Sequence, residues 1–267
     1  MTASPATNPL ALVTGGSAGI GLELARLLAK DGHDLVITGS SDRVNAAAED
    51  LRQSGVQVTP VRSDLATEDG TNAVIDAITD TGRPLDIAVF NAGIAIGGAF
   101  VDIPLQDHLR LIALNILSPV RMAHALIPGM ARNGGGRILL VSSLSATTPT
   151  PYESVYGPSK AFLTSFGHSI REELSGTGVQ ITILHPGATA TDFHARAGMG
   201  ATEFGDNSWK NDPARVARQG YAALMAGETS LIGGDAATQE AGREHKRLSE
   251  EEKARRHAKM ARPTAGQ

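Results

Sequence analysis

Short apolar runs recur along this chain, each closing on a glycine or a small polar residue and each followed by apolar residues at helical spacing. The runs are Leu10–Thr14, Asp34–Thr38, Gln57–Val61, Ile87–Phe90, Arg137–Val141 and Val179–His185. Helical segments follow, among them Leu22–Lys30, Val44–Gln53, Thr71–Thr79 and a long one over about Leu105–Met130. Strands that alternate with helices at this pitch form βαβ units, which build a parallel sheet covered on both faces. The expected fold class is therefore α/β, a doubly wound parallel sheet in three layers, α/β/α. Ligands of such sheets sit beyond the carboxyl ends of the strands. That directs attention to Thr14, Gly39, Asp64, Asn91, Ser143 and Pro186.

The first strand end carries Gly15, Gly16, Ser17, Ala18, Gly19, Ile20 and Gly21 directly before a helix. Free N–H groups and the dipole at a helix N-terminus favour negative charge, and glycine lets a pyrophosphate approach the backbone closely. The spacing of Gly15, Gly19 and Gly21 departs from the common GxGxxG fingerprint, and a tight strand-to-helix connection is the other reading of this stretch. At the second strand end an acidic residue would select the free ribose hydroxyl of NAD; the chain has Gly39 and Ser40 there instead. Ser40, Ser41 and Arg43 could receive a 2′-phosphate, with Asp42 opposing this only if it points inward. An ordinary polar start to the next helix is equally open. NADP(H) is favoured over NAD(H).

Tyr156 and Lys160 stand four residues apart, hence on one helix face. A phenol keeps its proton up to a pKa of about 10; a nearby ammonium favours the phenolate and makes the pair usable for acid–base work. The same spacing also occurs in solvated surface pairs. Tyr152 has no cation four residues on, so Tyr156 is the better candidate. Asn115 lies among apolar neighbours in the long helix and must be paired locally or serve a site. Pro119, lacking an N–H, leaves the Asn115 carbonyl without its helical donor.

With 267 residues, 41% of them hydrophobic, and a formal net charge of -4, the chain supports one sizeable core and gives no global electrostatic case for nucleic acid or an anionic membrane. The absence of cysteine excludes disulfides, thiolate metal sites and thiol nucleophiles. The histidines lack an HxxxH spacing, and no metal is assigned. Residues 1–9 are polar, no signal peptide is read there and no apolar stretch is judged long enough to span a bilayer, so a cytoplasmic location is expected. Residues Asp192 to Asn211 carry Phe193, His194, Met199, Phe204 and Trp209 among glycines. They read as a mobile lid over an apolar substrate pocket or as a surface excursion packed on the body. Beyond Asp235 the composition turns to Glu, Lys, Arg and Ala, and Leu248–Met260 is expected as a solvated charged helix or a frayed tail, resting on a partner subunit if on anything.

Taken in order, Thr14 through Gly21, Asp64, Asn91-Ala92-Gly93, Asn115, Ser143, Tyr156 with Lys160, and Pro186-Gly187 with Thr191 resemble the short-chain dehydrogenase/reductase family over roughly residues 10–232. The resemblance implies a Rossmann-like fold and hydride transfer between NAD(P)(H) and a carbonyl or alcohol carbon. It implies Tyr156 as acid/base, Ser143 orienting the substrate oxygen (with Ser142 as runner-up), Lys160 lowering the phenol pKa and binding ribose, and Asn115 holding a water of a proton relay. It places Gly15, Ser17, Gly19 and Ile20 at the pyrophosphate, Asp64 and Leu65 at adenine, and Asn91 and Gly93 on the adenosine side. Thr189 and Thr191 go to the nicotinamide amide or the phosphates, and Pro186 and Gly187 belong to the same cofactor-binding set. Phe90 stands where the family often has a first asparagine, and the end of the chain departs from the oxoacyl-type reductases. The expected organisation is a flexible segment at 1–9, a single dinucleotide-binding catalytic domain at 10–235 with a lid at about 192–211, and a charged C-terminal extension at 236–267. A small-molecule carbonyl or alcohol substrate and a homodimer or homotetramer are expected. A dinucleotide-binding sensor without turnover is the alternative function.

Overall fold

The computed structural model describes residues 8–263. The segment expected to be flexible at 1–9 therefore falls mostly outside the described residues. Its last part is anchored, since the Asn8 amide donates to Asp34 at 3.0 Å and the Asp34 N–H donates to the Pro9 carbonyl.

Seven parallel strands form one sheet. They are β1 (Leu10–Val13), β2 (Asp34–Gly39), β3 (Val58–Arg62), β4 (Ile87–Phe90), β5 (Gly136–Val141), β6 (Val179–Pro186) and β7 (Ser230–Gly233). Their order is β3-β2-β1-β4-β5-β6-β7. The winding reverses between β1 and β4, which lie side by side with Ala11 opposite Ile87 and Val13 opposite Val89. The seventh strand is an addition to the six read from sequence: Ser-Leu-Ile-Gly is too short to show a period, and only its register on β6, from Ile183 opposite Ser230 to Pro186 opposite Gly233, defines it.

Alternate residues of each strand point to opposite faces, and both faces are dry. Ala11, Val13 and Ile37 pack with Leu24 and Leu28 of α1 (Gly19–Lys30), Val44 and Leu51 of α2 (Arg43–Arg52), and Val216 and Leu224 of α8 (Pro213–Ala226). Leu12, Val36 and Leu140 pack on the other side with Val74 of α3 (Glu68–Thr79), Met122 and Met130 of α5 (Ser118–Arg132), and Leu163 of α6 (Tyr156–Glu173). This double cover is why the strands read as continuous apolar runs.

The long helix expected over Leu105–Met130 is α4 (Leu105–Ile112) running into α5 through one π turn at Ala113–Leu117. There the Ser118 N–H reaches back to the Ala113 carbonyl, just before Pro119 interrupts the ladder. The expectation that no stretch could span a bilayer is corrected by this element. Leu105–Arg132 is long and apolar enough by length and composition; Met122, Ala123, Leu126 and Met130 spend that apolar character on the sheet.

The C-terminal segment also differs from expectation. Two helices, α9 (Ala236–His245) and α10 (Glu250–Ala261), fold back over the carboxyl ends of the strands of their own chain. Ala261 and Met260 join Tyr156, Met199 and Phe204 in a third apolar cluster. Lys253 and His257 are buried as well. A charged sequence hid this packing because its buried face is made of one alanine, one methionine and two long polar side chains that find partners underneath.

Asn211 fastens α9: its amide donates to the Thr238 hydroxyl at 2.8 Å and its carbonyl oxygen accepts from the Asp235 N–H at 2.7 Å. Asp235 caps the helix by accepting from the Thr238 N–H at 2.8 Å. Replacing an aspartate cap by alanine costs about 1 kcal/mol, so Asp235→Ala should lower the melting temperature by about 2–4 °C. Asp235→Asn, which keeps the acceptor, should stay within about 1 °C of the parent on that scale. Differential scanning calorimetry on the three proteins checks this.

Candidate active site

A cavity of about 900 Å³ runs along the carboxyl ends of the strands, from Ser40 and Asp64 at one end to Phe204 and Met260 at the other. Its floor at the reversal point is the turn after β1. Gly15 and Gly19 adopt left-handed conformations, with φ of +64° and +54°. A Cβ on Gly15 would stand 2.9 Å from the Asn91 amide nitrogen, and one on Gly19 would stand 3.0 Å from the Thr191 Cγ2. The N-terminus of α1 has no side-chain cap and no acidic residue in its first turn, so its N–H groups remain suited to an anion. At the far end the Ser63 hydroxyl is buried, lines the cavity and has no hydrogen-bond partner. A glycine cradle, an uncapped helix start and an orphaned hydroxyl fit an extended dinucleotide.

Of the residues singled out in the sequence, Gly15, Ser17, Gly19, Ile20, Ser40, Asp64, Leu65, Asn91, Gly93, Ser143, Tyr156, Lys160, Pro186, Gly187, Thr189 and Thr191 all line this cavity. Arg43 and Asn115 do not. Arg43 is turned across the mouth to Asp192, with an Nη1–Oδ2 distance of 3.2 Å and both side chains largely exposed. Asp42 points away to Arg62 at 2.9 Å, leaving no carboxylate at the end of β2 to face the cavity. Gly39 is required there, because a Cβ would stand 2.9 Å from the Ser17 hydroxyl and 3.1 Å from Val44 Cβ.

Asn115 lies directly behind the cavity wall. Its amide donates to the Ile94 carbonyl at 2.9 Å and to the Ser159 hydroxyl at 3.0 Å, and its oxygen accepts from the Ile94 N–H at 3.0 Å. The side chain is therefore spent on pinning the strand exit that carries Gly93. A Cβ on Gly93 would approach Asn115 Oδ1 to 3.1 Å and Lys160 Nζ to 3.3 Å. Asn91 is engaged in a similar way, donating to the carbonyls of Thr14 at 3.0 Å and Gly15 at 3.2 Å. Asp64 is held by Arg110 at 2.8 Å.

Tyr156 opens α6, and its ring packs against Phe193 with centroids 5.5 Å apart. Burial raises its phenol pKa well above the ordinary value; a hydrogen bond with Ser143 draws it back, and the nearby Glu153 charge adds to the rise. Burial therefore outweighs the lowering expected from Lys160 and sets the net direction. The ammonium lies 5.9 Å from the phenol ring centroid and donates to the Val141 carbonyl at 2.9 Å, while the burial of both groups outweighs their spacing. Burial also pushes the Lys160 pKa down to about 8. Ser142 is used up inside the fold, donating to the Lys160 carbonyl at 2.9 Å and sharing a hydrogen bond with Thr164. Tyr152 is out of the cavity, its hydroxyl accepting from Arg262 at 2.9 Å.

The distal end is formed by the segment read as a lid or a packed surface excursion, with α7 (Phe193–Arg196) at its start, and by C-terminal residues that no local pattern placed there. Phe193, Phe204 and Trp209 form an aromatic wall with His194, which stacks on Phe204 at 5.0 Å. Burial, followed by the Lys210 charge, lowers the His194 pKa to about 4, so it is a neutral ring at neutral pH. Glu153, His245, Lys253, Arg256 and His257 also reach the cavity. His257 Nε2 meets Glu153 Oε2 at 3.1 Å across 104 residues of chain, a pairing that no local pattern announces.

The depressed Lys160 pKa has a stability consequence. An unfolded lysine titrates near 10.4, so between about 8 and 10.4 the unfolded chain binds more protons and stability rises with pH. Below that window the cost of burying the ammonium is present in full. Lys160→Met should therefore be more stable than the parent near neutral pH, and the difference should shrink as pH approaches 10. Urea titrations at the two pH values check the sign.

Residues 9–200 match the short chain dehydrogenase family. Among curated relatives, the serine 3-dehydrogenase of Agrobacterium fabrum is 33% identical over 201 residues, covering 74% of this chain and 79% of its own. The sulfoacetaldehyde reductase 2 of Chromohalobacter salexigens is 35% identical over 187 residues, covering 69% and 74%. A short-chain dehydrogenase from Sphingobium yanoikuyae, solved in complex with NADPH, superposes with a TM-score of 0.78 at 31% identity, covering 84% of this chain and 87% of that one. With a seven-stranded parallel sheet, a glycine cradle at its reversal point and a match over most of its length, the chain belongs to the short-chain dehydrogenase family of oxidoreductases.

Proposed function

We propose that this protein reduces a carbonyl compound to an alcohol, and runs the reverse oxidation, with NADP(H) as hydride carrier and Tyr156 as the acid/base. The observation that carries the reading is the convergence of Tyr156, Ser143 and Lys160 in one cavity with the glycine cradle of β1 and α1. The dinucleotide supplies the hydride; the chain's own side chains handle the oxygen and the proton. Ser143 donates a hydrogen bond to the substrate oxygen and holds it against the phenol. Tyr156 keeps its proton in the buried site and delivers it to the oxygen as charge develops there. Lys160 supplies the positive charge that steadies the resulting phenolate and binds the nicotinamide ribose.

Asn115 positions Gly93 and Ile94 beside Lys160 with its side chain, and its main-chain carbonyl, at the π turn, holds the water that returns a proton. Gly15, Ser17, Gly19 and Ile20 hold the pyrophosphate, Asp64 and Leu65 the adenine, and Asn91 and Gly93 the adenosine side through their backbone. Pro186, Gly187, Thr189 and Thr191 flank the nicotinamide. The domain assignment is one catalytic domain over 10–235, with 192–211 as its lid and 236–267 as an extension that contributes to the substrate end.

NADP(H) is preferred because β2 ends without a carboxylate facing the cavity, while Ser40 lines it and Arg43 stands at its mouth. The NADPH complex of the Sphingobium relative accords with this. Leu105, Leu109, Leu117 and Phe162 are exposed on α4, the π turn and α6; a second copy would cover them, and light scattering should read a dimer or tetramer.

Tyr156→Phe tests the chemistry. NADPH oxidation with a panel of aldehydes and ketones should fall by at least about 100-fold, the scale of a lost general acid, while NADPH fluorescence titration still reports binding. Equal turnover would end the assignment, and binding without turnover by either protein would favour a sensor. For the cofactor, Ser40→Asp is the better probe, since Gly39 has no room for a side chain. It should shift the NADPH-to-NADH ratio of kcat/KM toward NADH by roughly 10-fold or more, by like-charge repulsion of the 2′-phosphate. An unchanged ratio would sink the account of the β2 end.

A further inference from the structure

Glu153 sits one turn before Tyr156, its backbone fixed by the Tyr156 N–H donating to its carbonyl at 2.9 Å and by an exchange of hydrogen bonds with Thr150. The residue is 2% exposed and lines the cavity. One carboxylate oxygen, Oε2, meets His257 Nε2 of α10 at 3.1 Å. The other, Oε1, is buried and has no hydrogen-bond partner. A buried carboxylate oxygen without a donor is costly, and protein interiors rarely leave one in that state. Around it the wall is apolar: Phe193 and Phe204 from the lid and Met260 from α10 share one cluster with Tyr156.

We infer that Glu153, positioned by His257, is a specificity-determining residue that accepts a hydrogen bond from a hydroxyl on the substrate, so that the preferred substrates are hydroxylated carbonyl compounds with an otherwise apolar body. The assignment rests on the proposed carbonyl chemistry for its location, since Glu153 is felt electrostatically at the Tyr156 phenol and so lies close to where a reacting oxygen would stand. A hydroxyl fits better than an ammonium. A hydroxyl brings one donor to one free acceptor, whereas a buried ammonium needs three acceptors, and among the described residues Glu153 supplies the one orphaned acceptor at this end of the cavity. From α10, 104 residues away in sequence, His257 holds the carboxylate in place.

The test uses isosteric ketone pairs: 2-hydroxyacetophenone with propiophenone, and 3-hydroxypropiophenone with butyrophenone, with 2-aminoacetophenone as the ammonium arm. Two readouts are taken on the full chain. One is kcat/KM with NADPH; the other is the calorimetric Kd on protein loaded with NADP+, where no reduction can occur. The expected result is a preference for the hydroxylated member of at least one pair by 10-fold or more in both readouts. Glu153→Met should bring that ratio to within 2-fold of unity, and Glu153→Gln, which keeps an acceptor, should retain part of it. Ratios near unity in the parent protein overturn the inference whatever the variants do. A high ratio that survives in Glu153→Met, with NADPH binding intact, also overturns it, because the hydroxyl is then read elsewhere. Preference for the amino ketone over the hydroxy ketone overturns the choice of donor. If the Kd ratio holds while no ketone is turned over, the substrate reading stands and the proposed reduction is what fails.

Discussion

The cavity depends on the clamp between β1 and β4, where the sheet reverses its winding. The Thr14 hydroxyl accepts from the backbone N–H groups of both Asn91 and Ala92, at 2.9 and 3.1 Å. The Asn91 amide returns two hydrogen bonds to the carbonyls of Thr14 and Gly15. Parallel strands that diverge at their carboxyl ends leave backbone groups unpaired, and buried backbone polar groups must find partners. This reciprocal set supplies them without filling the crevice. It also explains Gly21, since a Cβ there would stand 2.3 Å from the Gly15 carbonyl and 2.4 Å from the Asn91 amide. The first turn of α1 can sit against the clamp only because that atom is missing, and the cradle for negative charge follows from it.

On top of this clamp the fold carries two buried ionisable groups at a cost. Tyr156 and Lys160 are both nearly inaccessible, and burial moves each toward its neutral form, the phenol up and the ammonium down. Helix spacing alone would suggest that the pair stabilise each other's charges. What decides the balance is that desolvation grows with burial while the attraction across 5.9 Å is shared with the Val141 carbonyl, which receives the ammonium proton. A site so arranged favours the neutral phenol, and a further positive charge nearby would favour the phenolate. The oxidised nicotinamide of a bound cofactor carries such a charge. The proposed acid and base directions of Tyr156 would then be tied to the redox state of the dinucleotide as well as to Lys160.

The sheet and the glycine turn that floors the cavity were legible in the sequence because both are written locally. A doubly covered parallel strand must be a continuous apolar run, and a close turn must be glycine; Ile87–Phe90 and Gly15–Gly21 declare themselves. Ser143, Tyr156 and Lys160 were ranked above Ser142 and Tyr152 from spacing and resemblance; in the fold the three line the cavity, while the Ser142 hydroxyl is bonded to Thr164 and that of Tyr152 to Arg262. What the sequence did not show is of another kind. Arg43, read on its charge, stands at the cavity mouth paired with the exposed Asp192. The Asn115 side chain is saturated by Ile94 and Ser159, which leaves its main-chain carbonyl for the proposed water. β7 and the docking of α9 and α10 depend on contacts between distant segments, and no period of 2 or 3.6 encodes them.

The segment beyond Asp235 shows why composition misleads at this point. A helix reading Glu-Glu-Glu-Lys-Ala-Arg-Arg-His is expected to be solvated when each charge is counted as exposed, yet the buried face needs few residues. Lys253 lays its stem inward and donates to the Thr147 carbonyl at 3.3 Å and to Glu250 at 2.5 Å, and His257 reaches Glu153. Long side chains can bury their carbon stems while the polar tip finds a fixed partner. Arg256 stays largely exposed at the cavity rim, paired with Glu244 and Glu252. Exposed pairs of this sort add little stability, so what holds α10 in place is the small apolar contact of Met260 and Ala261 together with the two buried polar links. Those links end on Thr147 and Glu153, in the stretch between Ser143 and Tyr156. The loop that sets the distance between the two proposed catalytic oxygens is thus braced by the last helix of the chain, and the substrate end of the cavity takes its shape from a part of the sequence that carries no family motif.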